Sequence, residues 1–308
     1  MRWLTHIEKD FTDANGNFST SSFRFDVNYS IKWERADFDI RSGNWGQAWY
    51  NGPKLGSAWY LNIDKGGMSW VYAHIFRAAH MYYYGHSSWG IKSPPKDGKL
   101  LKQSIKIGAM DKSGTSHYFD FNKFFTTPQI KVFRYDSDGS EQASIDLFAT
   151  TIHELAHASH WEMCYSYGQY VLDFLSDKAI LSESWASCVE HIITNEFYPP
   201  RKSDYGYDYL KYADYQKLTI KASKTDGYTG VFIDCIDDLN QRERFNDAIY
   251  PIDRVSGYTL SQIENAIKYG ASDTTSYGLK AVINGLRQYS NPTNIHLEEL
   301  FSCYRKLR

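Results

Sequence analysis

Long apolar runs, paired cysteine motifs and basic tracts are all missing from this 308-residue sequence. No stretch approaches the roughly 18 apolar residues of a membrane-crossing helix, so no transmembrane segment is expected. Four cysteines occur, Cys164, Cys188, Cys235 and Cys303, and none falls in a C-x-x-C pair. A cysteine-built zinc site is therefore not expected. Cys164 and Cys188 can bridge only if the helices carrying them pack closely; the plain alternative is four buried thiols. The 34 Lys and Arg residues nearly balance 36 Asp and Glu residues, for a net charge of -2, and no basic run exceeds two or three residues. Nucleic acid is accordingly not an expected partner. No signal-peptide pattern opens the chain, and a trimmed form of an exported, extracytoplasmic protein is the favoured expectation.

Glycine and proline are also absent from Ser140 to Tyr167, which leaves a helix free to run through that stretch. It contains His153-Glu154-x-x-His157. On a helix, residues four apart point the same way, about 5–6 Å from each other at Cβ. Two imidazoles so placed can grip one Zn²⁺, and the intervening Glu can act as a base on water. Ile145, Phe148, Ile152, Leu155 and Ala156 recur at helical steps. Asp138-x-x-Glu141 reads as a capping box at the helix start.

A third ligand must come from elsewhere. The pattern with a downstream His fails, because His160 and Met163 stand where Gly and His are needed, and the inverted H-x-x-E-H order is absent. A carboxylate on a second helix remains. In Ser182-Glu-Ser-Trp-Ala-Ser-Cys-Val-Glu-His191, Glu183, Ser187 and Glu190 share one helical face, while Trp185 and Val189 point into packing. One carboxylate can bind the metal while Ser187 or Glu190 holds the second N–H of a ligand imidazole.

His-Glu-x-x-His followed by Glu-x-Trp-Ala-x-x-x-Glu resembles the gluzincin metallopeptidases, particularly the branch with Glu-Gly-Trp-Ala; Ser184 stands in place of that Gly. The pair of motifs is also similar to secreted zinc-metallopeptidase-like proteins of gut bacteria. The resemblance covers about residues 140–198. It implies one zinc ion, His153, His157 and Glu183 as ligands and Glu154 as general base, with Ser187 and Glu190 behind the ligands. It implies cleavage of amide bonds in a peptide or glycopeptide substrate. An oxyanion-stabilising Tyr or His would follow the third ligand, and Tyr198, Tyr205, Tyr207, Tyr228 and His191 all qualify by order. His160 faces roughly the same side as His153, either as a structural residue or as a substrate contact. Two rival readings remain: an amidase for glycosylated substrates, whose sugars the 25 Tyr and 9 Trp would contact, and a non-catalytic binding protein with a vestigial zinc site.

The expected fold class is α+β: a mainly helical gluzincin-like domain with a small sheet over residues 61–308, preceded by a β-rich segment over 1–60. Asn15-Gly16 predicts a hairpin turn, and Phe23, Phe25, Val27, Tyr29, Ile31 and Trp33 alternate as in a half-buried strand. Their order is similar to the end of a carboxypeptidase-regulatory-like β-sandwich, here partial or docked on the following domain. A helix is predicted over Met68–Tyr84 with Gly85 as its C-cap, carrying His74, Arg77 and His80. Strands are predicted within Leu101–Met110 and over Gln129–Tyr135, and the resemblance implies that the latter pairs with extended substrate. Pro199-Pro200 ends the second motif helix, 201–227 is partly helical, and Val231–Asn240 steps helically with three aspartates in solvated or capping roles. Helices follow at Thr259-x-x-Gln262, at Leu279–Leu286 and at Leu297–Tyr304, forming a helical C-terminal subdomain.

Overall fold

The computed structural model describes residues 8–13, 16–96, 104–118, 127–165, 178–198, 216–218, 229–272 and 278–305. Its architecture mixes helices with two small sheets, in accord with the expected α+β class. β1 (Val27–Lys32) and β4 (Trp49–Leu55) form an antiparallel pair. β2 (Phe38–Ser42), β3 (Gly46–Gln47), β5 (Ile105–Ser113), β6 (His117–Tyr118) and β7 (Ile130–Tyr135) form a sheet in the order β3-β2-β5-β7-β6. Its three inner strands are parallel, and β3 and β6 run antiparallel to their neighbours. Parallel neighbours need crossovers, and α1 (Met68–Gly85) lies in the chain between β2 and β5. Central β5 is buried from Ile105 to Met110, as expected of a parallel strand covered on both faces.

Two strands of the 1–60 segment thus belong to the same sheet as β5 and β7, and Trp33, Phe38, Ile40 and Ala48 join the common core. The turn at Gly16 forms, with φ 82° and the Asp13 carboxylate accepting from the Asn17 backbone N–H at 2.8 Å. No strand flanks it among the described residues, so the predicted hairpin is not built there. The alternating stretch shortens to β1, whose partner is β4. Trp59 lies over Gly52 of β4: a Cβ there would come within 2.8 Å of the indole. Only a residue without a side chain admits the ring at that distance.

Helix α1 buries Val71, Ile75, Ala78, Ala79 and Tyr82. Gly85 is not its left-handed cap. It has φ −99° and leads into a 3-10 turn over His86–Trp89, and left-handed Gly90 closes the run at φ 65°. α2 (Ser144–Tyr165) starts later than the capping box implied. Asp138 instead bonds Ser140, Glu141 pairs with Arg134, and Asp146 reaches back to the Ala143 N–H at 3.1 Å. α3 (Lys178–Phe197) packs along α2, and the two prolines that follow it lie outside the described residues, as do Tyr205, Tyr207, Tyr228 and most of 201–227. The helix expected across Val231–Asn240 stops early as α4 (Val231–Asp234), followed by α5 (Gln241–Phe245). α6 (Leu260–Ser272) opens on the expected capping box. The Thr259 Oγ1 accepts from the Gln262 N–H, and the Gln262 Oε1 accepts from the Thr259 N–H. α7 (Gly278–Leu286) and α8 (Leu297–Arg305) complete the C-terminal helices. No helix among the described residues is long and apolar enough to cross a membrane.

Candidate metal centre

The two motif helices bring part of their polar faces together because each also carries an apolar stripe that must be buried. Ile145, Phe148, Ile152 and Leu155 of α2, and Trp185, Val189 and Ile193 of α3, are 1% exposed or less. Burying those stripes against each other and against α1 leaves His153, His157, Glu183 and Glu190 on the shared boundary. The His153 and His157 Nε2 atoms are 3.0 Å apart, and each lies 3.3 Å from the Glu183 Oε2. Among the described residues this is the one His/Cys/Asp/Glu group whose donor atoms converge closely enough for a metal ion. Four-coordinate zinc with bonds of about 2.0–2.1 Å needs ligand atoms separated by about 3.3–3.4 Å. Two of the three separations match that spacing and the third is shorter, so the group could hold a metal ion of about that size.

Hydrogen bonds behind the ligands fix which ring nitrogen faces the centre. The His153 Nδ1 is 2.9 Å from the Glu190 Oε2. A carboxylate only accepts, so Nδ1 carries a proton, and it is Nε2 that faces the centre and would offer a lone pair once its own proton is displaced. The His157 Nδ1 is 3.0 Å from the Ser182 Oγ. Ser187 does not do this work, contrary to expectation. It is 3% exposed and its Oγ has no hydrogen-bond partner. The pairing of His153 with Glu190 and of His157 with Ser182 runs antiparallel: one turn forward on α2 corresponds to two turns back on α3. That reversal, the mark of two helices packed in opposite directions, is the signal that points to Ser182 instead of Ser187.

The electrostatics follow from crowding three carboxylates and two imidazoles into a buried space. Burial works against charge on His153, yet its hydrogen bonds to Glu183 and Glu190 hold its pKa well above the ordinary histidine value. Burial works against ionised Glu183 as well, but His157 and His153 hold its carboxyl far below the usual range. Glu154 behaves oppositely. Burial pushes its carboxyl up, with His157 and His153 only partly offsetting the rise. It is 5% exposed, and its Oε2 has no hydrogen-bond partner. A carboxylate beside the ligands, unengaged and easily protonated, is suited to exchanging a proton.

The remaining candidates separate. Tyr198 accepts a hydrogen bond from the Arg77 Nη1 at 3.1 Å and packs edge-on against Phe148, which gives it a packing role. His191 faces Asn195 at 3.1 Å, and burial lowers its pKa to about 4. His160 is 3% exposed and sits 3.5 Å from the Cys164 Sγ, where both line a small hollow with Leu181, Ile267 and Val282. That places His160 among the C-terminal helices and not in a substrate cleft. None of the four cysteines is in a disulfide. β7 is flanked by β5 and, at Lys131 and Ile130, by β6. Among the described residues the edge strand on that side is therefore β6, not the strand the resemblance pointed to. His117 of β6 is exposed and close enough to Glu154 to favour its ionised form. Neither a known protein-family model nor a curated protein matches the sequence.

Proposed function

We propose that the chain is a zinc-dependent hydrolase of peptide bonds, with His153, His157 and Glu183 as metal ligands and Glu154 as general base. The observation that carries this reading is the convergence of two imidazole Nε2 atoms and one carboxylate oxygen within 3.0–3.3 Å, beside a buried glutamate with a free oxygen. A bound zinc ion would supply a Lewis acid that polarises the substrate carbonyl and makes water more acidic. Glu154 takes the proton from the attacking water and returns it to the leaving amine nitrogen. Its raised pKa serves both halves of that exchange. Glu190 and Ser182 keep the two rings in the orientation that presents Nε2. The outward edge of β6 runs beside α2, and an extended peptide pairing with it would be held chiefly through its backbone.

This reading includes the resemblance to gluzincins and an extracytoplasmic location with a peptide or glycopeptide as substrate. Metal analysis of purified protein, combined with hydrolysis of a mixed peptide library, tests it. One zinc per chain and cleavage that disappears in Glu154→Gln are expected. Protein without stoichiometric zinc, or cleavage undiminished in Glu154→Gln, would overturn it. Parallel libraries with and without attached glycans separate a general peptidase from a glycopeptide amidase.

A further inference from the structure

The back of α3 rests on carboxylates that the metal centre does not use. Asp234, the last residue of α4, is fully buried. Its Oδ2 accepts a 2.6 Å hydrogen bond from the Tyr304 hydroxyl of α8, and its Oδ1 has no hydrogen-bond partner. Asp253 is 4% exposed and accepts from the Val255 N–H at 3.1 Å. Asp237 accepts from the Leu239 N–H and from the Gln216 Nε2, each at 3.1 Å. The other titratable groups facing this cluster are Tyr304, Cys188 of α3, Cys235, and Asp238 beside Asp237. None of these groups is cationic. Among the described residues no Lys or Arg forms an ion pair with Asp234, Asp237 or Asp253.

We propose that Asp234 and Asp253 form a proton-held joint between α3 and the C-terminal helices, closed when protonated and loosened when the proton leaves. The physical ground is burial without compensation. An ionised carboxylate removed from water needs a cation or a full set of donors, and Asp234 has neither. It neutralises by keeping its proton. Burial and the neighbouring Asp253 hold the Asp234 carboxyl well above the usual range. Burial brings Asp253 up to about 7 against the Val255 hydrogen bond, and Asp237 adds to the rise. In the unfolded chain both would titrate near about 3.9. A folded-state pKa raised in this way contributes stability that is complete below about pH 4 and is lost as pH climbs through about 7.

The consequence reaches the front of α3. α4 packs on the helix that carries Glu183 and Glu190, so a mildly acidic setting seats that helix most firmly. The inference does not depend on the metal centre being catalytic.

Thermal unfolding of the metal-stripped full chain at pH 5 and pH 8, for wild type and Asp253→Asn, tests the joint. The wild-type midpoint should be about 5 °C lower at pH 8, and Asp253→Asn should remove at least half of that difference. His153 loses stability over the same range, so the gap between wild type and variant is the reading. An equal pH response in both proteins would overturn the proposal. So would recovery of the wild-type midpoint at pH 8 by Ca²⁺ or Mg²⁺, which would mean that the cluster holds a cation instead of a proton. A second measurement needs no substitution in the cluster. Infrared spectra of folded Glu154→Gln protein at pH 6 should show a protonated-carboxyl C=O band that disappears at pH 9. Absence of that band at pH 6 would equally dispose of the joint.

Discussion

The two sides of α3 handle buried carboxylates in opposite ways. On the front, Glu183 and Glu190 face imidazoles at 2.9–3.3 Å, and histidine charge holds Glu183 ionised. On the back, Asp234 and Asp253 face no cation, only other acids, a phenol, thiols and the neutral donors of Gln216 and Val255, and burial raises both carboxyls. One helix thus separates a group that could exchange protons for a metal ion from a group of acids with no cation beside it. The lesson is that burial alone does not set the state of an acid; what sets it is the nearest group able to balance the charge.

The contrast can be broken or sharpened by substitution. The largest effect is expected at Glu154, a front-side acid that is buried yet has no bonded partner. Glu154→Gln should lower peptide hydrolysis by about 10³-fold while zinc content, read by elemental analysis, stays unchanged. Glu190→Gln comes next. It keeps an acceptor for the His153 Nδ1–H but removes the charge, and zinc affinity in competition with a chelator should fall about 10–100-fold. Proton competition is third. Metal-free His153 holds its proton above the ordinary range, so binding must displace it, and zinc affinity should rise about tenfold per pH unit below that pKa. A titration flat across pH 5–8 would mean that the front does not differ from the back in this way. The smallest effect belongs to Ser182→Ala, which removes one hydrogen bond from His157 and should weaken zinc about fivefold. Ser187→Ala, at a hydroxyl that makes no hydrogen bond to either ring, should leave zinc affinity as it is.

Much of the site was legible in the sequence because helical spacing is rigid. A step of four from His153 to His157, and of seven from Glu183 to Glu190, determines a shared face wherever the helix goes. Ser182 was not legible from spacing on α3 alone, since its role depends on the direction in which α3 crosses α2. Caps were read with mixed success for a comparable reason. Thr259 and Gln262 had no rival partners and formed their reciprocal bonds. Glu141 was taken by Arg134 of β7, which also bonds Asp111 and the Gly66 carbonyl, and Asp138 was taken by Ser140. Of the three aspartates after Val231, which read as solvated or capping, Asp238 is exposed and Asp237 accepts from the Leu239 N–H, but Asp234 is fully buried and bonded to Tyr304 of α8. Burial contributed by distant segments leaves no mark in the local pattern.

Cys188 sits on the side of α3 that faces the acids, fully buried and in no disulfide. Its sulfur is a built-in timekeeper: an alkylating reagent can reach it only in the moments when the helix lifts from its bed. The rate of modification would therefore count those openings directly, with no label added, and would show whether loading the front with metal or acidifying the back slows the same clock.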